Sequence, residues 1–128
     1  MKSFTQIAWC DEAERGLRRA IIDDEIMQIV AEEVRSGLSI LWRCVSDHHF
    51  AYCVTRQDSN PDELCIVAFE GSGVVDFAEF FIGSAHAKGI PVRCHVVKRS
   101  LARLYRRVKL QESEIILRSY PNEQRRQR

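Results

Sequence analysis

The sequence predicts a mixed α/β protein, with one sheet of α+β type that carries helices on both faces. Strand-type and helix-type apolar patterns follow one another in the order β-α-α-β-β-β-α-β-α-β. The run 64–69 is apolar at every position, which is typical of a central strand buried on both faces. Gly89 and Pro91 end the longest late helix pattern before another strand begins. We therefore expect a central antiparallel meander followed by helical connections.

The first third of the chain predicts a strand and two helices. Residues 3–9 alternate in part between polar and apolar side chains, which is typical of a strand. Asp11 is expected to cap the next helix, because a short acidic side chain accepts bonds from free helix amides. Asp23-Asp24 divides the helical stretch in two, and Ser36-Gly37 ends the second helix.

The middle of the chain predicts a hairpin and the buried strand. Two β-rich runs, 38–45 and 50–55, flank the polar break Asp47-His48-His49. The polar stretch 57–62 is a loop signal that precedes strand 64–69.

The last part predicts a helix over 74–88, a strand over 92–97, a short helix from Ser100 to Val108 and a strand over 113–120. The helix over 74–88 repeats apolar residues at helical spacing, and its expected buried face consists of Val74, Phe77, Ala78, Phe81, Ile82 and Ala85. We expect one domain over residues 1–120 and a loose basic tail over 121–128.

Composition excludes several classes of protein. The 128 residues are 45% hydrophobic and 29% charged, with a net charge of +1, which is too apolar and too neutral for a disordered chain. No apolar run reaches the roughly 18 residues that a membrane span needs. The first residues lack the layout of a signal peptide, and five Cys without paired spacing indicate reduced thiols. We therefore expect a cytoplasmic protein.

Charge is divided unevenly along the chain. Residues 1–92 carry 8 basic and 15 acidic side chains, a balance of −7, whereas residues 93–128 carry 11 basic and 3 acidic, a balance of +8. Such a division favours a basic surface that faces nucleic acid, phosphate or an acidic partner. The alternative is that the two ends of the chain neutralise each other.

A glycine-broken turn follows the central strand. Its sequence is Ala68-Phe69-Glu70-Gly71-Ser72-Gly73, and the helix begins at Val74. With the element order, it resembles the GNAT acyltransferase superfamily, in which a loop of the form Arg/Gln-x-x-Gly-x-Gly/Ala binds the pyrophosphate of coenzyme A. The resemblance implies acetyl-CoA as cofactor, held by Phe69, Gly71, Ser72, Gly73 and Val74. Here Ala68 stands where the family has Arg or Gln, and Glu70 adds a negative charge.

A second stretch, 98–110, resembles the late helix of the same family. Leu104-Tyr105 align with its Leu-Tyr pair, although its Asn and Gly-Phe are missing here. The resemblance implies that Tyr105 is the general acid that protonates the departing thiolate. The alternative is that Tyr105 continues the apolar stripe of Leu101, Leu104 and Val108, with its hydroxyl group at the rim.

A carboxylate on the middle strands often acts as the general base in this family. Glu63 and Glu70 flank the central strand and are the available candidates for deprotonating an amine substrate. Both are also explained as ordinary loop charges.

Two other groups of residues allow different chemistry. Cys44 and Cys53 face each other across the expected hairpin if its turn centres between His48 and His49. The two thiolates and one of these histidines could then bind zinc. Buried structural cysteines are the commoner outcome, and we expect no metal.

The C-terminal third carries many basic residues, which are candidates for nucleic-acid binding or form a solvated face. They are Arg99, Arg103, Arg106, Arg107, Lys109, Arg125, Arg126 and Arg128.

Three functions are therefore compared. The first is a GNAT-like acetyltransferase that moves an acetyl group from acetyl-CoA to an amine, with its catalysis intact, impaired or lost. The second is a non-catalytic GNAT-fold module, a binding or structural protein with a protein partner, similar in its brevity to small phage-encoded GNAT-like proteins, virion components included. The third is a basic nucleic-acid-binding module.

Overall fold

The computed structural model describes residues 1–60, 62–95, 111–113 and 116–119. Its helices and strands are β1 (Ser3–Ile7), α1 (Asp11–Leu17), α2 (Asp24–Ser36), β2 (Ile40–Val45), β3 (Phe50–Asp58), β4 (Glu63–Gly71), α3 (Val74–Ala87), β5 (Val92–His95), β6 (Gln111–Ser113) and β7 (Ile116–Ser119). The predicted order is confirmed from β1 to β5. The helix expected from Ser100 to Val108 lies outside the described residues.

The strands form one mixed sheet in the order β1-β2-β3-β4-β5-β7-β6. Strands β1, β2 and β3 are antiparallel neighbours, as are β5, β7 and β6. The central strand is β4, and its neighbouring residues Cys65 and Ile66 are both buried, so both of its faces are covered. The expectation of a doubly buried central strand is confirmed.

The chain divides into two compact units, of which the first comprises residues 1–56 and 66–74. In this unit α1 and α2 pack with β2, β3 and β4 around a core of Ala13, Leu17, Ile21, Met27, Val30, Leu41, Tyr52, Val54 and Ala68. The Asp23 side chain accepts bonds from the amides of Glu25 (2.8 Å) and Ile26 (3.1 Å), and Gly37 ends α2 with φ of 87°. The two helices therefore separate at the Asp23-Asp24 pair, as expected.

One expected helix cap is wrong. Cys10 occupies the N-cap position of α1 and makes no side-chain cap bond, while Asp11 is the first helical residue. Asp11 still suits this place, because an acidic side chain in the first turn interacts favourably with the helix dipole.

The second unit comprises residues 57–65 and 75–128, of which only part is described. Helix α3 buries Phe77, Ala78, Phe81, Ile82 and Ala85, whereas Val74, the remaining member of the expected face, is half-buried. Gly89 has φ of 73° and its amide donates to the His86 carbonyl (2.9 Å), which confirms it as the helix end. The described helices are all too short or too polar to cross a membrane.

The last expected strand is two strands. The single strand predicted over 113–120 is replaced by β6 and β7, which pair antiparallel with Ser113 opposite Ile116. The sequence changes here from polar Gln111-Glu112-Ser113 to apolar Ile116-Leu117. A single strand buried along one face would need alternation instead.

Candidate functional site

The loop that follows β4 is the candidate site. Strand β4 ends at Gly71, and helix α3 begins three residues later at Val74. Gly71 and Gly73 have φ of 142° and 70°, backbone conformations that residues with a Cβ atom rarely adopt. The glycines therefore allow the chain to leave the strand and enter the helix within two intervening residues.

Both glycines are also in close contact with the hairpin formed by β2 and β3. A Cβ atom on Gly71 would lie 2.4 Å from the carbonyl oxygen of Phe50 and 2.5 Å from the Cα atom of Ala51. A Cβ atom on Gly73 would lie 2.6 Å from Cγ of His49. A larger residue at either position would have to push the hairpin or the His49 ring aside.

Ser72 fixes the loop to the start of β3 by two hydrogen bonds. Its amide donates to the carbonyl of Phe50 (3.0 Å), and its Oγ accepts from the amide of Phe50 (3.2 Å). The loop is therefore held in place, but the Ser72 amide already has an acceptor and is not free to bind an anion.

The next two amides are different. Within the part of the chain that the structure describes, the amides of Gly73 and Val74 donate to no acceptor. The first N–H groups of a helix have no partner inside the helix, and the positive end of the helix dipole lies beside them. Such a helix start is chemically suited to a phosphate group.

The side chains that precede the loop differ in burial. Ala68 belongs to the core around α1 and α2, and the ring of Phe69 is buried as well, so neither side chain reaches solvent. Glu70 is half-buried and makes no salt bridge with any described residue. Of the residues on this stretch, Glu70 alone carries a charge that a ligand on the loop would meet.

Glu63 lies at the other end of β4, where it opens the strand instead of lying in the expected loop. It is 7% exposed and its Oε1 atom lies 3.6 Å from Nε of Arg93. Arg93 also donates to Asp58 (2.7 Å). The guanidinium group explains how a carboxylate is accommodated inside a strand, because a buried charge requires a partner.

The remaining site candidates from the C-terminal third cannot be placed against this loop. Tyr105, the expected general acid, lies outside the described residues, as do all the basic residues named in the C-terminal third. Their roles stay predictions.

The expected opposition of Cys44 and Cys53 is wrong. Cys44 pairs with Ala51 and Trp42 pairs with Cys53, because the hairpin turn spans Ser46 to His49 and closes with the Ser46 amide on the His49 carbonyl (2.9 Å). Burial raises the pKa of the Cys44 thiol to about 12, so it stays protonated. Among the described residues, no three His, Cys, Asp or Glu side chains are placed to hold a metal ion.

No protein-family model matches the sequence, and no curated protein matches it. A crystal structure of a Bacillus subtilis acetyltransferase in complex with CoA is similar, with a TM-score of 0.68 and 13% identity over 94% of this chain and 99% of that one. This chain has a GNAT-like fold. At such low identity the likeness establishes the GNAT-like fold alone, and the chemistry depends on the loop described above.

Sequence reasoning missed the two hairpin residues that shape the loop. His49 and Phe50 contact Gly73 and Ser72, respectively, although more than 20 positions separate them along the chain. The pattern of glycines indicated a turn in this GNAT-like fold, but no local signal indicated which strand the turn packs on.

Proposed function

We propose that this chain binds acetyl-CoA at the loop from Gly71 to Val74 and transfers its acetyl group to an amine. The observation that carries the proposal is that the amides of Gly73 and Val74, at the start of α3, donate to none of the described residues. The fold likeness to an acetyltransferase whose crystal structure contains CoA supports the same assignment.

The proposed contacts are made by the backbone. The amides of Gly73 and Val74 bind the pyrophosphate oxygens. Gly71 and Gly73 allow the loop to lie against the hairpin in the conformation that presents these amides. Ser72 holds the loop through its bonds to Phe50, and Phe69 contributes its backbone because its ring is buried.

The proposed reaction is direct transfer. The amine nitrogen attacks the thioester carbonyl, the C–N bond forms, and the C–S bond breaks with departure of the coenzyme A thiolate. The amine loses a proton through water to Glu70, or to Glu63 as the less accessible candidate, and the thiolate gains a proton from Tyr105. No covalent intermediate on the protein is required.

The Val74 amide provides the sharpest test of the binding site. Proline is tolerated at the first position of a helix, where it removes only an amide that has no partner. We expect Val74→Pro to weaken acetyl-CoA binding about tenfold, the loss of about one hydrogen bond to a charged group. Isothermal titration calorimetry of acetyl-CoA into the purified protein measures this change.

The matched control is Val74→Ala, which trims the same side chain but keeps the amide. We expect this variant to bind acetyl-CoA as the parent chain does, with thermal melting showing that both variants are folded. Equal affinity in the alanine and proline variants would contradict a phosphate contact at this amide.

Glu70 allows binding and catalysis to be separated. Removing its negative charge in Glu70→Gln should strengthen acetyl-CoA binding about threefold, because a carboxylate near a pyrophosphate repels it. If Glu70 instead lies near the thioester and is the base, the same variant should lower kcat by about 10² or more at saturating acetyl-CoA. Calorimetry and a thiol-release assay give the two numbers.

Glu79→Gln is the control for this charge, because it makes the same change on α3 several residues beyond the loop. Unchanged affinity in Glu70→Gln would show that no phosphate lies near Glu70. An unchanged kcat would remove it as the base and leave Glu63 to be tested in the same way.

A non-catalytic GNAT-fold module is the second candidate, and one observation favours it. The bonds of Ser72 to Phe50 and the close approach of both glycines to the hairpin explain the loop without any ligand. If acetyl-CoA fails to bind at millimolar concentration, this candidate replaces the enzyme. A phage origin and nucleic-acid binding by the basic C-terminal third remain predictions.

A further inference from the structure

Helix α2 carries a second apolar face that the core does not use. Ile26 and Ile29 are 52% and 58% exposed, and they lie on one side of the helix at i, i+3 spacing. Ile22, just before the N-cap residue, is 66% exposed. We call these three residues the isoleucine face. The buried residues of α2 are different ones, namely Met27, Val30 and Ala31.

Such exposure is unusual for a surface helix, whose solvent side normally carries polar residues. Isolated exposed apolar side chains are common, but grouped isoleucines on one face of an amphipathic helix indicate a contact surface.

Acidic side chains border the isoleucine face on one side. Glu25 and Glu32 are seven residues apart, so they follow the same line along the helix next to Ile29. Glu25 makes no salt bridge with any described residue, and Glu32 has only a 3.9 Å pairing with exposed Arg35. Exposed pairs of this kind contribute little, so both carboxylates are available to a partner.

Size and charge argue against a second copy of this chain as the occupant. Three half-exposed isoleucines offer about 300 Å², compared with roughly 800 Å² per partner in a standard protein interface. Two copies meeting through this face would also bring the Glu25 and Glu32 rows of both molecules together, and like charges at an interface are unfavourable.

We propose that the isoleucine face binds a cationic amphipathic helix of a partner protein. Apolar side chains at i, i+3 and i+4 of that helix pack on Ile26 and Ile29, and Lys or Arg side chains beside them pair with Glu25 and Glu32. This surface shares no residue with the proposed acetyl-CoA loop, and its occupation requires no catalysis.

The test uses two fluorescein-labelled 14-residue peptides with the same leucine spacing. One carries lysine at its polar positions and the other carries glutamate. Fluorescence anisotropy with the full chain is expected to show micromolar binding of the leucine–lysine peptide and at least about tenfold weaker binding of the leucine–glutamate peptide. Equal binding of both peptides would overturn the assignment of a cationic partner.

Variants then locate the contact. The double change Ile26→Ser and Ile29→Ser should weaken binding of the leucine–lysine peptide about tenfold, because buried anchors carry most of the energy of such contacts. Gln6→Ser, at an exposed position of β1 that is not part of α2, should leave binding unchanged. Glu25→Gln should weaken it a few-fold and reduce its dependence on salt.

Circular dichroism and thermal melting report whether these variants fold, and exposed serine in a helix is close to isoleucine in propensity. If the folded double variant binds the leucine–lysine peptide as tightly as the parent chain does, the isoleucine face is not the docking site. If the parent chain binds phosphatidylcholine vesicles but not the leucine–lysine peptide, the partner is a lipid surface and the proposal is wrong.

Discussion

Tyr52 shows how a single side chain positions a helix in the first unit. Its ring lies under α1, where a Cβ atom on Gly16 would be 2.6 Å from Cδ2 and 2.7 Å from Cε2. The hydroxyl group donates to Oε2 of Glu12, and the ring of Phe50 packs edge-on at a centroid distance of 5.1 Å. Burial, together with the Glu12 carboxylate, raises the pKa of Tyr52 to about 12, so the phenol remains a neutral donor.

Two helical glycines give matched substitutions of opposite expected sign. In Gly16→Ala the new methyl group meets a ring that cannot move freely, and we expect the free energy of unfolding to fall by about 1–3 kcal/mol. In Gly83→Ala on α3, no described atom lies within 4 Å of the new Cβ atom, so the higher helix propensity of alanine should add about 0.5–1 kcal/mol. Urea denaturation of both variants measures the difference, and a stabilised Gly16→Ala would show that the Tyr52 ring does not pack as described.

The glycine turn at the candidate site was predictable from the sequence, but its contacts with the hairpin were not. Gly71 and Gly73 stand out as a break between an apolar strand and a helix. Their contacts with Phe50 and His49 join segments that lie far apart in the chain. Nothing in a short window of sequence specifies such a contact. The hydrogen bond from the Ser72 amide to the Phe50 carbonyl depends on the same contact, so it was not predictable either.

At the scale of elements, local signals were sufficient for the type and approximate bounds of β1 to β5, but not for the division of the last strand into β6 and β7. Asp23 marks the start of α2 and Gly37 its end, because caps act within a few residues. The register of the β2–β3 hairpin was not predictable in the same way. Because Val45 pairs with Phe50, the turn centres one position earlier than expected. Cys44 therefore faces Ala51 and not Cys53.

The start of β4 at Glu63 was also not predictable from local sequence signals. A charged pair such as Asp62-Glu63 normally indicates a loop, yet Glu63 begins β4. Its acceptance depends on Arg93 of β5, and a salt bridge between strands is visible only after the sheet is assembled.

At the scale of the whole molecule, the fold class followed from the order of apolar patterns, and the cysteines provide a test of the assembled core. All five are free, and Cys44, Cys53, Cys65 and Cys94 are buried while Cys10 is exposed. An aromatic disulfide reagent at pH 8 should therefore modify one thiol rapidly in the native chain and five in denaturant, because the thiolate is the reactive form and burial suppresses it. In Cys10→Ser the rapid reaction should disappear and the slow reaction of the other four should report unfolding. Rapid reaction of two or more thiols in the native parent chain would contradict the burial of the other four cysteines. Cys65 lies on β4, so its rapid reaction would also contradict the packing of the strand that leads into the candidate loop.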